Sequence, residues 1–178
     1  LGEGHRGRFP HEGPEGHQSE ADLQESEHWC HGRARATLGD GVSVDFGRVL
    51  SSVATFLDGR GFPCAVCGAF ALQAYGLARA TQDLDFVVPV GAQEGLVAFM
   101  EAEGYETLHR SPGFSNHLHA DPALGRVDFI YVSGSTSQRV FEDAHTGAVA
   151  GGLAVRVPSP EHLVAMKAQA FASDRTRY

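Results

Sequence analysis

At 178 residues, 42% of them hydrophobic, the chain suits one packed domain with little left over. A formal charge of −8 argues against sequence-independent nucleic-acid binding, which rests on many Lys and Arg contacts to phosphate, but leaves small anionic substrates open. No apolar run reaches the roughly eighteen residues of a membrane helix, and three cysteines (Cys30, Cys64 and Cys67) make no even-numbered disulfide framework, which excludes a membrane span and a disulfide-built scaffold.

The chain opens with Leu1 rather than Met, as a fragment or a processed start would. Its first residues, "LGEGHRGRFPHEGPEGHQSE", lack the apolar core of a signal peptide, so a reducing cytoplasm is the expected location. Residues 1–41 hold five of the ten histidines and almost no aliphatic side chains. Such a segment buries too little apolar surface to offset its ordering entropy and is expected to be disordered. "HWCH", His28 to His31, offers three ligands but lacks a fourth at zinc spacing, so no structural zinc site is expected there.

Regular structure is expected from about residue 42 to 178. "VDFGRVLSSVATFLDGRG" sets Phe46, Val49, Leu50, Val53, Phe56 and Leu57 at helical spacing, with Gly59 and Gly61 as the stop. "FPCAVCGA" reads as a short buried strand, "FALQAYGL" as a short helix stopped at Gly76, and "DLDFVVPV" as a strand ended by Pro89 and Gly91. "AQEGLVAFMEAEG" reads as a helix with Leu96, Phe99 and Met100 inward and Gly104 as its stop. Three strands follow, "YETLHR", "SNHLHA" and "RVDFIYV", then a short helix in "SQRVFEDAH" and a strand in "GLAVRVP". The last helix, "SPEHLVAMKAQAFA", has Ser159 as N-cap, Pro160 at its first position and Glu161 in its first turn. This order predicts an α/β or α+β domain: a sheet with helices packed against it.

Asp83 and Asp85 stand out in the apolar strand "DLDFVV". Residues i and i+2 of a strand share a face, so both carboxylates project together, about 7 Å apart along the backbone, while Leu84 and Phe86 turn to the core. Like charges that close call for a cation, and hard oxygen donors suit magnesium. Upstream, Gly68 and Ala69 lie where a strand turns into a helix, where glycine allows close backbone approach and first-turn N–H groups can hold an anion. Asp128, in "GRVDFIYV", is a third lone acid in an apolar strand and meets the same site if the two strands are neighbours. Two magnesium ions beside a phosphate cradle would serve phosphoryl or nucleotidyl transfer. The competing reading makes Asp83 a turn residue and pairs Asp85 and Asp128 with Arg79 and Arg126.

The span from Cys64 to Val88 resembles the signature of the DNA polymerase β-like nucleotidyltransferase superfamily: a Gly-Gly or Gly-Ser turn, a helix, an Asp-x-Asp strand and a third acid on a later strand. "GLARATQDLDFVV", with the late "VPSPEHLVAMKAQAF", is most similar to the AbiEii/AbiGii-type toxin nucleotidyltransferases. The resemblance covers roughly residues 45–178. It implies the nucleotidyltransferase fold, a mixed sheet of about five strands with flanking helices. It implies Asp83, Asp85 and Asp128 as catalytic metal ligands for Mg2+, with Mn2+ as a substitute, and Gly68 and Ala69 as the turn that holds nucleotide phosphate. Lys167, the sole lysine in an arginine-rich chain, matches a lysine that contacts the nucleotide or acts in catalysis. Arg79 and Thr81, just before the acids, are further candidates for binding phosphate or pairing with a carboxylate.

The implied activity moves a nucleoside monophosphate from a nucleoside triphosphate such as ATP to a hydroxyl on an RNA 3′ end, a protein or a small molecule. The implied setting is toxin–antitoxin or phage defence, with a cognate antitoxin as partner. The alternatives are an aminoglycoside-type small-molecule nucleotidyltransferase, or a catalytically silent domain that binds nucleotide or a partner. Two features depart from the family: Ala69 replaces the second glycine or serine of the turn, and the chain stops at Tyr178, where the family continues into an acidic segment with further active-site aspartates. The domain is accordingly expected to be truncated at its C-terminus.

Two other patterns compete for chemistry. Cys64 and Cys67 form a C-x-x-C, but i and i+3 on a strand face opposite ways, so both are expected to be small core residues. His117 and His119 share one strand face, with His109 close in sequence; the alternatives are that they line the pocket beside Asp128, bind a transition metal with it, or form a polar surface.

Overall fold

The computed structural model describes residues 35–37, 43–149 and 152–175. Most of the segment expected to be disordered, including the HWCH motif and Cys30, lies outside these residues. Within it, Arg35–Thr37 form a short strand, β1, paired antiparallel with β2 (Ser43–Asp45).

Helix α1 spans Phe46–Asp58, and the Asp45 side chain caps it by accepting from the Arg48 N–H at 3.1 Å. Phe46, Val49, Leu50, Val53 and Leu57 form its buried stripe as the spacing predicts, and Gly59 is the C-cap. Phe56 is half-buried instead, stacked on Phe99 with ring centroids 4.2 Å apart. Phe99 belongs to α3 (Gln93–Ala102), whose buried side chains are Leu96, Val97 and Met100.

The remaining elements run β3 (Ala65–Val66), α2 (Gly68–Ala74), β4 (Asp83–Pro89), then after α3 come β5 (Tyr105–Ser111), β6 (Phe114–His119), β7 (Arg126–Val132), α4 (Gly134–Glu142), β8 (His145–Ala148), β9 (Ala154–Val157) and α5 (Pro160–Arg175). Five strands form one sheet in the order β3-β4-β7-β6-β5. β4 and β7 are parallel and the other three pairings are antiparallel. The expected mixed sheet with flanking helices is therefore present. β9 lies outside it, however, paired with β8, a strand that the Gly-containing "HTGA" did not announce.

Alternation along β4 and β7 sorts the sheet into two faces. Leu84, Phe86, Val88, Val127, Phe129 and Tyr131 point into the main core under α1 and α3, with the Phe86 and Phe129 rings stacked at 5.5 Å. The other face carries Asp83, Asp85 and Asp128, then a small apolar patch where Val87 and Ala65 meet Val140 and Phe141 of α4 and Met166 of α5. The two helices thus cover one end of this face and leave the acids at the margin.

Candidate active site

β4 and β7 are in a register that sets Asp85 beside Asp128 and Asp83 beside Arg126. One oxygen from each of Asp83, Asp85 and Asp128 lies within 4.8 Å of the others, and all three side chains are half-buried. Separate stretches of sequence therefore converge on one acidic cluster, and the pairing that the motif required is present.

Burial pushes the Asp85 carboxyl up to about 6; the Asp83 and Asp128 charges add to the shift, and Lys167 and Arg126 oppose it. Burial also raises Asp128, against the pull of Arg126, whose Nε donates to Asp128 Oδ1 at 3.1 Å. The ion pair considered from sequence thus exists for Arg126, yet it engages one oxygen of one carboxylate and leaves the cluster short of positive charge. The donor set is all hard oxygen, which fits a divalent cation such as magnesium.

Gly68 closes the other side. Its φ is +59°, and a Cβ there would come within 2.7 Å of Asp85 Cγ. The Cys67 N–H donates to the Asp85 carbonyl at 2.8 Å, so the turn from β3 into α2 is tied to the acid strand by backbone. Ala69 is buried at the start of α2, whose first-turn N–H groups lie outside the helical bonding pattern.

Lys167 is exposed on α5, yet its charge reaches Asp85. Leu163 packs on the main core and Met166 on the apolar patch, which seats the helix and fixes where Lys167 starts from. The Thr81 hydroxyl bonds to both the carbonyl and the carboxylate of Asp83. Arg79 is exposed, and its carbonyl accepts from Gln73 Nε2 at 3.0 Å; the cations felt at Asp85 are Lys167 and Arg126 instead.

Cys64 and Cys67 are both buried core residues, as expected. The histidines differ from expectation. His117 is fully buried on the core face, opposite the acids, bonded to Thr107 at 3.1 Å and Ser115 at 2.9 Å. Its neighbour Asn116 takes the position facing Asp128 across the β6–β7 ladder. The alternation of "SNHLHA" that pairs the two histidines on one face puts Asn116 on the acidic face.

Among the described residues no helix is long and apolar enough to cross a membrane. No family model matches the chain, and no curated protein does. Solved structures do share its fold. A putative nucleotidyltransferase from Thermotoga maritima, TM1012, aligns over 79% of this chain and 94% of its own, at 12% identity and a TM-score of 0.51. The lincosamide antibiotic adenylyltransferase LnuA, solved with lincomycin bound, aligns over 66% and 83%, at 13% identity and a TM-score of 0.51. The antibiotic-resistance factor ANT(2'')-Ia aligns over 66% of each chain, at 18% identity and a TM-score of 0.52, so the match spans about two thirds of that protein. The fold of this chain is that of nucleotidyltransferases.

Proposed function

We propose that this chain is a metal-dependent nucleotidyltransferase that moves a nucleoside monophosphate from a nucleoside triphosphate to an acceptor hydroxyl, releasing pyrophosphate. The observation that carries the reading is the convergence of Asp83, Asp85 and Asp128 within 4.8 Å, on a fold shared with TM1012 and LnuA. Asp83, Asp85 and Asp128 would hold Mg2+, which when bound neutralises triphosphate charge and polarises the reacting phosphorus. The Gly68–Ala69 turn would receive phosphate oxygens on its backbone, and Lys167 would add a point charge to them. Thr81, bonded to Asp83, would border the same approach, and Arg79, two residues before it, would add charge for phosphate. As the acceptor oxygen bonds to the α-phosphorus and the bond to pyrophosphate breaks, the hydroxyl proton passes to Asp128 through the oxygen that Arg126 leaves free.

A small-molecule acceptor has the support of the structural neighbours, because LnuA is a lincosamide adenylyltransferase and ANT(2'')-Ia an antibiotic-resistance factor. The net charge of −8 also disfavours a long nucleic acid. A second reading, a cytoplasmic toxin with a cognate antitoxin, has the support of "GLARATQDLDFVV" and "SPEHLVAMK". Calorimetry with Mg2+ and a panel of nucleoside triphosphates, on wild type and the Asp83→Asn/Asp85→Asn double variant, tests the common core. Metal-dependent nucleotide binding that the variant loses, with pyrophosphate released when an acceptor is added, is the expected result. Binding that ignores both metal and the two acids would mean a silent domain.

A further inference from the structure

Asn116 is 7% exposed, and its Oδ1 is buried without a hydrogen-bond partner among the described residues. A buried carbonyl oxygen without a donor is costly, and native proteins rarely keep one unless something outside the chain uses it. Its place in the sheet says what that could be. β6 pairs antiparallel with β7 so that Asn116 stands directly across from Asp128, which puts both side chains on one face, with Cβ atoms about 5 Å apart. Its other neighbour in the sheet is His109 on β5, which is exposed and forms a ring contact with Phe114. The flanking residues of β6, Ser115 and His117, turn the opposite way and satisfy each other at 2.9 Å. In the whole strand, therefore, the unsatisfied oxygen is the one on the acidic side.

Hard divalent cations take amide carbonyl oxygens alongside carboxylates and water. In the metal-free protein a neutral oxygen spares the site a fourth charge beside Asp83, Asp85 and Asp128, while toward a bound cation a carboxylate oxygen serves as well. We infer that Asn116 is a fourth member of the acidic site, a positioning residue whose Oδ1 serves the divalent cation or a water of its hydration shell. This inference rests on the metal-site reading above.

The test is Mn2+ affinity, read by electron paramagnetic resonance on the full chain, with thermal melts of the metal-free proteins as the check on folding. Asn116→Leu and Asn116→Ala should fold and bind Mn2+ on the order of tenfold more weakly, as loss of a supporting group around a metal does. Asn116→Asp, which keeps an oxygen at the position, should retain the affinity. Mn2+ binding within twofold of wild type in both apolar variants would overturn the role of Asn116 while leaving the metal site standing. An Asn116→Asp variant as weak as the leucine one would overturn it too, by assigning the work to the amide N–H2. If wild type binds no more Mn2+ than Asp85→Asn, the metal site itself fails and this inference with it.

Discussion

Gly68 shows how closely a single residue can be bound to the acids. Its positive φ alone costs an L-residue roughly 1–2 kcal/mol, and its missing side chain is what lets the Asp85 carboxylate lie against the turn. Glycine at such a turn allows close approach of a ligand, and the first close neighbour of Gly68 is Asp85. Asp85 in turn is held where its own charge is unwelcome. Its carboxyl rises from 3.8 unfolded to about 6 folded. As pH climbs past 3.8, the unfolded chain ionises first, so stability falls until the folded group ionises near 6 and stays low above that. Asp85→Asn removes that penalty, so the metal-free variant should be more stable than wild type at pH 7 by on the order of 1–3 kcal/mol. Denaturant unfolding in chelator at pH 7 and again at about pH 3.5 checks it. The gap should close at the lower pH, and a variant less stable than wild type at pH 7 would contradict it.

At the scale of elements, the parts read most easily were those whose period is set by burial. α1 and α3 carry apolar stripes, β7 alternates strictly and β4 does so from Asp83 to Phe86, so the faces that carry the acids can be assigned from sequence. β8 escaped because "HTGA" is mostly exposed and has little apolar pattern. β6 is legible as a strand, but which of its faces is buried is not. Two histidines at i and i+2 look like a polar surface, but Ser115 and His117 form a bonded pair within the core, extended by Tyr131 at 2.7 Å from Ser115 and by Thr107, which bonds Glu101 at 2.9 Å. Polar residues that satisfy one another can be buried, and a single strand's sequence does not show the partners. Burial holds the His117 imidazole below its usual 6.5, with Glu101 pulling the other way. The unfolded chain therefore takes up a proton first as pH falls through 6.5, and the stabilisation from neutral His117, complete above that point, drains away below it. His117→Gln removes the titration. The stability advantage of wild type over this variant should narrow as the pH falls from 6.5 to 5.5, measured by urea unfolding. A constant gap would mean that His117 carries its charge into the core.

Across the whole molecule, the acidic cluster was legible because each acid breaks an apolar strand, and such a break needs a reason wherever it occurs. What the sequence did not contain was the geometry joining them: the parallel register of β4 on β7, the Asn116 position on β6, and the seating of α5 by Leu163 and Met166. Lys167 depends on that last feature most. It stands far along the chain from the acids, on an exposed helix, yet its charge lowers the proton affinity of Asp85. Two roles are separable by pH. If Lys167 acts through Asp85 alone, Lys167→Gln lets the carboxyl rise above about 6, so protons compete better with metal near neutrality, and Mn2+ affinity should drop at pH 6.5 and recover by pH 8.5, where Asp85 is ionised in both proteins. If Lys167 also touches the triphosphate, nucleotide affinity in the presence of saturating Mn2+ should stay reduced at pH 8.5, because a lost contact does not return with ionisation of its neighbour. Both effects are expected: metal affinity restored at high pH, and nucleotide affinity still down by on the order of tenfold, the value of a charge-assisted hydrogen bond of about 1.5 kcal/mol. Full recovery of nucleotide binding at pH 8.5 would confine Lys167 to the field around Asp85, and no change in either at pH 6.5 would return it to the solvent-facing side of α5.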